Sequence, residues 1–169
     1  NKNQFLTVTD PEMTSTVGQI IIKHPEEKVN TVRDYRTQLT KSVFNQMINA
    51  RLRELAQKPD APFVQSGVSI SSLFGGLDNL TLFFAAKPGQ IEQSFKAIFR
   101  EMDRFQKFGF TKTEFDRAIS NFSKGNEAAY IERDKRKSDT YVESYLNHFL
   151  EGDVALSDED RYQITKQLL

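Results

Sequence analysis

Residues 101–152 read EMDRFQKFGFTKTEFDRAISNFSKGNEAAYIERDKRKSDTYVESYLNHFLEG, a helical layer built from stops, caps and apolar stripes. Gly109 stops an incoming helix, and Thr111 with Glu114 three residues on forms a capping box, in which each side chain satisfies an orphan backbone N–H at the other's end. Phe115, Ala118, Ile119 and Phe122 then recur at helical spacing. Gly125 weakens or kinks this third helix, and the charged stretch 132–137 leads into Tyr141, Val142, Tyr145, Leu146, Phe149 and Leu150 before Gly152 ends the run. Ser157 with Asp160 caps a last helix carrying Tyr162, Ile164 and Leu168. Upstream, Ile91, Phe95, Ile98, Phe99, Met102, Phe105 and Phe108 line one face of a helix and are assigned to the core.

Moving toward the N-terminus, residues 80–86 alternate Leu80, Leu82, Phe84 and Ala86 with Thr81, Phe83 and Ala85. Val64, Val68 and Ile70 interleave with Ser66, Ser69 and Ser71. These are two strands, joined as an antiparallel hairpin through the loop FGGLDN. Lys58, Pro59, Asp60, Ala61 and Pro62 form a turn, because two prolines end the preceding helix. That helix starts near Thr31 and repeats Val32, Tyr35, Leu39, Val43, Met47, Leu52 and Leu55 on one stripe. The β-branched runs 4–9 (QFLTVT) and 16–23 (TVGQIIIK) flank an Asp10-Pro11-Glu12 turn and read as two further strands. The order is ββαββααα, an α+β class with helices packed on one face of a largely antiparallel sheet. One core over residues 1–169 is expected, and the abrupt ends at Asn1 and Leu169 suggest a piece of a longer protein.

Composition narrows the function classes. Twenty-three basic and 23 acidic side chains cancel, so no global basic field draws the chain to nucleic acid or anionic lipid. With no cysteine there is no disulfide scaffold, thiol nucleophile or Cys-ligated metal. The apolar runs 20–22 and 82–86 fall far short of the ~20 residues that span a bilayer.

Few residues are equipped for chemistry. His24 lies in KHPEEK beside Glu26 and Glu27, but Pro25 keeps the segment extended and no third ligand is in sight, so His24 reads as a solvated strand end. His148 in LNHFLEG sits near a helix C-terminus, where imidazolium is mildly favoured by the helix dipole. No HExxH, HxxEH, GxSxG or GxxxxGK[ST] pattern occurs. Gly75 and Gly76 read as a hairpin loop rather than a phosphate cradle. Arg133, Lys135, Arg136 and Lys137 are interleaved with Glu132 and Asp134, so that patch is nearly self-neutralised; it reads as a solvated helix face or a contact to another domain. The fourteen phenylalanines fall mostly at core spacing. No catalytic, cofactor-binding or metal-ligating residue is nominated.

DPE-x-T-x-T at residues 10–16, DYRTQLTKSVFNQMINARLRELAQKPDAPF at 34–63, AAKPGQIEQSFKAIFREMDRFQKFGFTKTEFDRA up to Ala118 and NEAAYIERDKRKSDTYVESYLNHFLEG after it, taken in this order and spacing, resemble the non-catalytic domain of pitrilysin/insulinase-type zinc metalloproteases. The resemblance covers nearly the whole chain. It implies a truncated αβ roll, its opening strand and helix missing before Asn1, from a multidomain peptidase. In that family an HxxEH helix with a distal Glu holds zinc in a preceding domain of similar fold, and two such halves enclose a peptide chamber. HxxEH is absent here, so no zinc ligand carries over and none is expected in this fragment. The family's second half also supplies an Arg and a Tyr from the region corresponding to residues 74–90; this chain has neither there. The resemblance therefore favours the domain that follows the zinc domain in the first half.

The function so implied is a non-catalytic, substrate-enclosing domain of a zinc-dependent metalloendopeptidase, with zinc in the parent. The implied partners are the preceding zinc domain, the second half and a peptide, with no nucleic acid and no membrane. Bacterial relatives of this kind are often exported, which implies a periplasmic or exported parent and leaves the cytoplasm open. The alternative is a domain of a catalytically inactive relative acting in assembly or partner binding.

Overall fold

The computed structural model describes residues 2–73, 75–152 and 154–169. Strand β1 (Thr16–Pro25) leads into the long helix α1 (Val32–Ala56). The hairpin β2 (Phe63–Leu73) and β3 (Leu77–Ala86) follows, then α2 (Ile91–Phe108) and α3 (Lys112–Ile131). A single 3-10 turn (Arg133–Lys135) separates α3 from α4 (Ser138–Glu151), and α5 (Asp158–Leu168) ends the chain. The class is α+β, as the sequence implies.

Among the described residues the sheet has three strands in the order β1-β3-β2, antiparallel throughout. β3 is central and pairs Leu82 with Ile20 on one side and Val68 on the other. Those three residues and Phe84 point to the face that packs against Ile48 and Leu52 of α1 and Ile98 of α2. Gly18 is required on this face: a Cβ there would lie 2.2 Å from the Phe84 ring. A second cluster, Val43, Met47 and Ala118, joins α1 to α3. The rings of Phe44, Phe105 and Phe110 connect the two clusters through edge and tilted contacts at 4.9–6.0 Å between centroids.

The two outer strands are finished differently. Along β2, Asn45 and Asn49 of α1 bond the outward backbone groups of Ile70 and Val68. β1 is an edge strand whose Val17, Ile21 and Ile22 are exposed. The run 4–9 does not form the expected additional strand: it has no ladder partner, and Phe5, Leu6 and Val8 lie in the open. β-propensity without a neighbour to bond leaves the backbone with water.

Helix ends follow their capping chemistry. Thr111 and Glu114 form the expected box, and Ser157 accepts from the Asp160 N–H. Thr31 and Asp34 form another at the start of α1. Gly152 closes α4 in the left-handed region at φ 74°. Gly125 does not break α3, which runs through it; the interruption falls at Glu132, where Arg133–Lys135 tighten into the 3-10 turn.

The core is narrower than the apolar stripes suggest. Ile98 is buried and Phe95, Met102 and Phe105 pack against the cluster, but Phe99 is 49% exposed and Phe108 80%. Phe99 lies about 100° around the helix from Ile98, off the row that meets the sheet. Phe115 and Phe149 are exposed as well.

Candidate functional site

Among the described residues, three polar clusters and a cleft gather side chains equipped for chemistry. The first cluster lies at the end of the sheet. β1 ends in Lys23, His24 and Pro25, and pairing with β3 puts His24 opposite Asp78. Asp78 is buried; its carboxylate accepts from the Glu27 N–H at 3.2 Å and from Ser72 Oγ at 2.9 Å, with Lys41 Nζ at 3.6 Å. Burial alone would raise the Asp78 pKa, but these donors and the Lys41 charge outweigh it and hold the carboxyl below its ordinary value. Lys41 also bonds Glu27 at 2.9 Å, and the Glu26 N–H donates to the Gly76 carbonyl at 3.0 Å. His24 Nδ1 lies 3.0 Å from the Pro25 carbonyl oxygen. The cluster ties the β1–α1 connection to the β2–β3 hairpin. Gly75 and Gly76 belong to that hairpin's turn, both at positive φ; Phe74 lies outside the described residues.

The second cluster joins α1 to the start of α3. Arg51 donates through Nε to Glu114 Oε1 at 2.5 Å, and through Nη2 to Glu114 Oε2 at 2.8 Å and the Gly109 carbonyl at 2.9 Å. Its guanidinium also stacks 4.6 Å from the Phe110 ring centroid. The Arg51 hydrogen bonds, assisted by those from Thr111, hold the Glu114 carboxyl down to about 2. The same carboxylate pushes the Arg51 guanidinium up. A forked Arg–carboxylate pair of this kind is geometric reinforcement.

The third cluster is the basic stretch 132–137. Arg136 pairs with Asp158 at 2.5 Å, and the single Tyr141 Oη–H is shared between two acceptors, Asp158 Oδ2 at 3.0 Å and the Arg133 carbonyl at 3.1 Å. Tyr130 donates to Glu159 and stacks on Tyr162 at 4.4 Å, with the Arg133 guanidinium 4.3 Å from the Tyr130 ring. Arg133 and Arg136 are thus engaged within the domain, between α3, the Tyr141 turn of α4 and the start of α5, where the sequence suggests a solvated face or a contact to another domain.

Beside that network lies a cleft of about 830 Å³ between the start of α1, α4 and α5. Tyr35, Gln38, Arg136, Tyr141, Ser144 and Asp158 are among its walls. Tyr35 Oη and Thr165 Oγ1, 2.9 Å apart, brace the α1–α5 side. Within this lining no serine or threonine hydroxyl is bonded to a histidine or lysine base, the arrangement that nucleophilic catalysis requires.

A zinc ion does not fit the residues described. His24 and His148 lie on different elements, β1 and α4. Among the described residues, no three His, Asp or Glu side chains gather as a ligand set. Among them too, no helix is long and apolar enough to cross a membrane.

No family model matches the sequence. A protein from Arabidopsis thaliana described as zinc protease PQQL-like is 24% identical over 168 residues, covering 99% of this chain and 15% of its own. The crystal structure of the periplasmic protease PqqL from Escherichia coli superposes with a TM-score of 0.81 at 19% identity, over 91% of this chain and 17% of that one. A structure of the first half of PqqL gives the same score and identity, with 33% of that chain covered. A Yersinia pestis protein described as a predicted insulinase family protease superposes at 0.78 with 10% identity, over 91% of this chain and 33% of its own. The chain therefore spans only 15–17% of the full-length relatives.

Proposed function

We propose that the chain is a pitrilysin/insulinase-type domain, serving as a non-catalytic, substrate-enclosing part of a zinc metalloendopeptidase; its likeness to a protein described as zinc protease PQQL-like and to the folds of PqqL and an insulinase family protease supports this reading. Peptide hydrolysis would belong to another domain of the parent, one that carries HxxEH. The observation that carries this reading is the match over 168 residues to 15% of the length of a protein described as zinc protease PQQL-like. The chain's own sequence contains no HxxEH, and the match to a first-half structure supports a place within the first half. The parent's zinc, when bound, supplies a Lewis acid and an activated water. This domain's residues do other work: they exclude bulk water and hold the chamber wall rigid through the Arg51–Glu114 and Arg136–Asp158 ties.

On this reading its partners are the preceding zinc domain, the second half and the enclosed peptide. An exported, periplasmic setting is supported by the description of PqqL. The test is a metal and activity assay on the parent protein and on this chain. The expected result is stoichiometric zinc and peptide cleavage in the parent and neither in residues 1–169. One equivalent of tightly held zinc on residues 1–169 would overturn the reading, and a parent with neither zinc nor activity would select the inactive assembly subunit instead.

A further inference from the structure

Helix α4 presents an apolar face that its own domain does not cover. Two adjacent rows at i, i+4 and i+8 run along it, Tyr141-Tyr145-Phe149 and Val142-Leu146-Leu150. Val142 is 61% exposed, Leu146 51%, Phe149 84% and Leu150 63%. The helix is nevertheless oriented, because Tyr141 near its start is bonded to the Arg133 carbonyl and to Asp158. A helix anchored at its first turn, with a contiguous apolar stripe in water, has the geometry of a helix that lies in another protein surface's groove.

We propose that this face of α4 docks into an apolar groove, rimmed by Lys or Arg, on an adjoining domain of the same polypeptide. The inference rests on the chain being one domain of a longer protease. The first occupancy argument is length: in the half-protease structure from Escherichia coli the matched region is 33% of the chain, so twice as much polypeptide is tethered beside the equivalent domain. A tethered partner acts at an effective concentration in the millimolar range. The second is charge. The helix sequence holds Asp139, Glu143 and Glu151 against His148 and no Lys or Arg, so two copies laid face to face would bring an excess of like charges together. The same carboxylates select a basic rim on the partner.

The experiment uses the full-length parent. Hydroxyl-radical footprinting should oxidise Phe149 and Leu146 at least ~10-fold more slowly in the native parent than in the same protein unfolded in urea, as burial by a partner requires. A photo-crosslinking amino acid replacing Phe149 should give crosslinks to peptides of the same chain outside residues 1–169. Native oxidation at the unfolded rate would overturn the proposal. So would crosslinks confined to residues 1–169, or crosslinks between isotopically light and heavy copies, which would identify a second copy. Zinc content and peptide hydrolysis test the enclosing-domain reading separately. An active zinc protein with fast-oxidising Phe149 defeats the docking alone, and an inactive, zinc-free parent with same-chain crosslinks defeats only the catalytic assignment.

Discussion

The Asn49 side chain bonds both backbone groups of Val68, donating to its carbonyl at 2.7 Å and accepting from its N–H at 3.0 Å. Asn45, one turn earlier, does the same for Ile70 at 2.9 Å in each direction. Four residues of helix advance about 6 Å and two residues of strand about 6.6 Å, so an i, i+4 pair of amides can reach consecutive outward-facing residues of an edge strand. Helix α1 thereby stands in for a fourth strand and closes one edge of the sheet against further pairing.

Replacing Asn49 by Leu should therefore cost about 1–3 kcal/mol, because it orphans the Val68 N–H and carbonyl. Asn49→Asp should not restore stability, since it keeps an acceptor but places a carboxylate against a carbonyl. Urea melts of both variants would check this, and wild-type stability in Asn49→Leu would show that water satisfies the strand equally well.

Glu114 makes stability depend on acid. Its carboxyl pKa in the fold is about 2, below an ordinary value of 4.5, so the ionised form is the one the native state favours. The stabilisation is complete above about pH 4.5 and disappears as pH falls toward 2. It amounts to on the order of 3 kcal/mol. Glu114→Gln should be destabilised at pH 7 and should show a flatter dependence of its melting midpoint between pH 5 and about 2 than the wild type.

The Thr111 hydroxyl accepts from the Glu114 N–H at 3.3 Å while the Thr111 N–H donates to Glu114 Oε2 at 2.7 Å. Thr111→Ala should lose about 1 kcal/mol and Thr111→Ser almost nothing. Equal losses in thermal melts would show that the hydroxyl is not the capping group.

Phe84 is 1% exposed and meets Phe95 edge-on at 4.6 Å, whereas Phe99 is half exposed. Phe84→Ala should cost about 3–5 kcal/mol, and Phe99→Ala under about 1 kcal/mol, as for a surface site. Denaturant midpoints that reverse this ranking would move the core to the other side of α2.

The hairpin, the long α1 and the stops at Gly109 and Gly152 are legible in the sequence, because they depend on local chemistry that short segments carry with them. Helical spacing alone overfills the core. Phe108 and Phe115 share helical spacing with packed residues, Phe99 with Phe95 and Met102, and Phe149 with Tyr141 and Tyr145, but spacing shows only which side chains share a face and not whether another element covers it. The polar ties were illegible for the same reason. Arg51 and Glu114 are separated by 63 residues, and Arg136 and Asp158 by 22; no local pattern marks either pair.

What the sequence by itself determined is the α+β class, the positions of most helix ends, the likeness to one family and the absence of HxxEH from these 169 residues. Each follows from propensity, capping or motif, which act over a few residues. Only the tertiary structure decided that residues 4–9 lack a ladder partner, that α1 seals β2 with two asparagines, and that α4 carries its apolar rows in water. Those outcomes depend on which surfaces meet, and burial is a property of the meeting rather than of either segment alone.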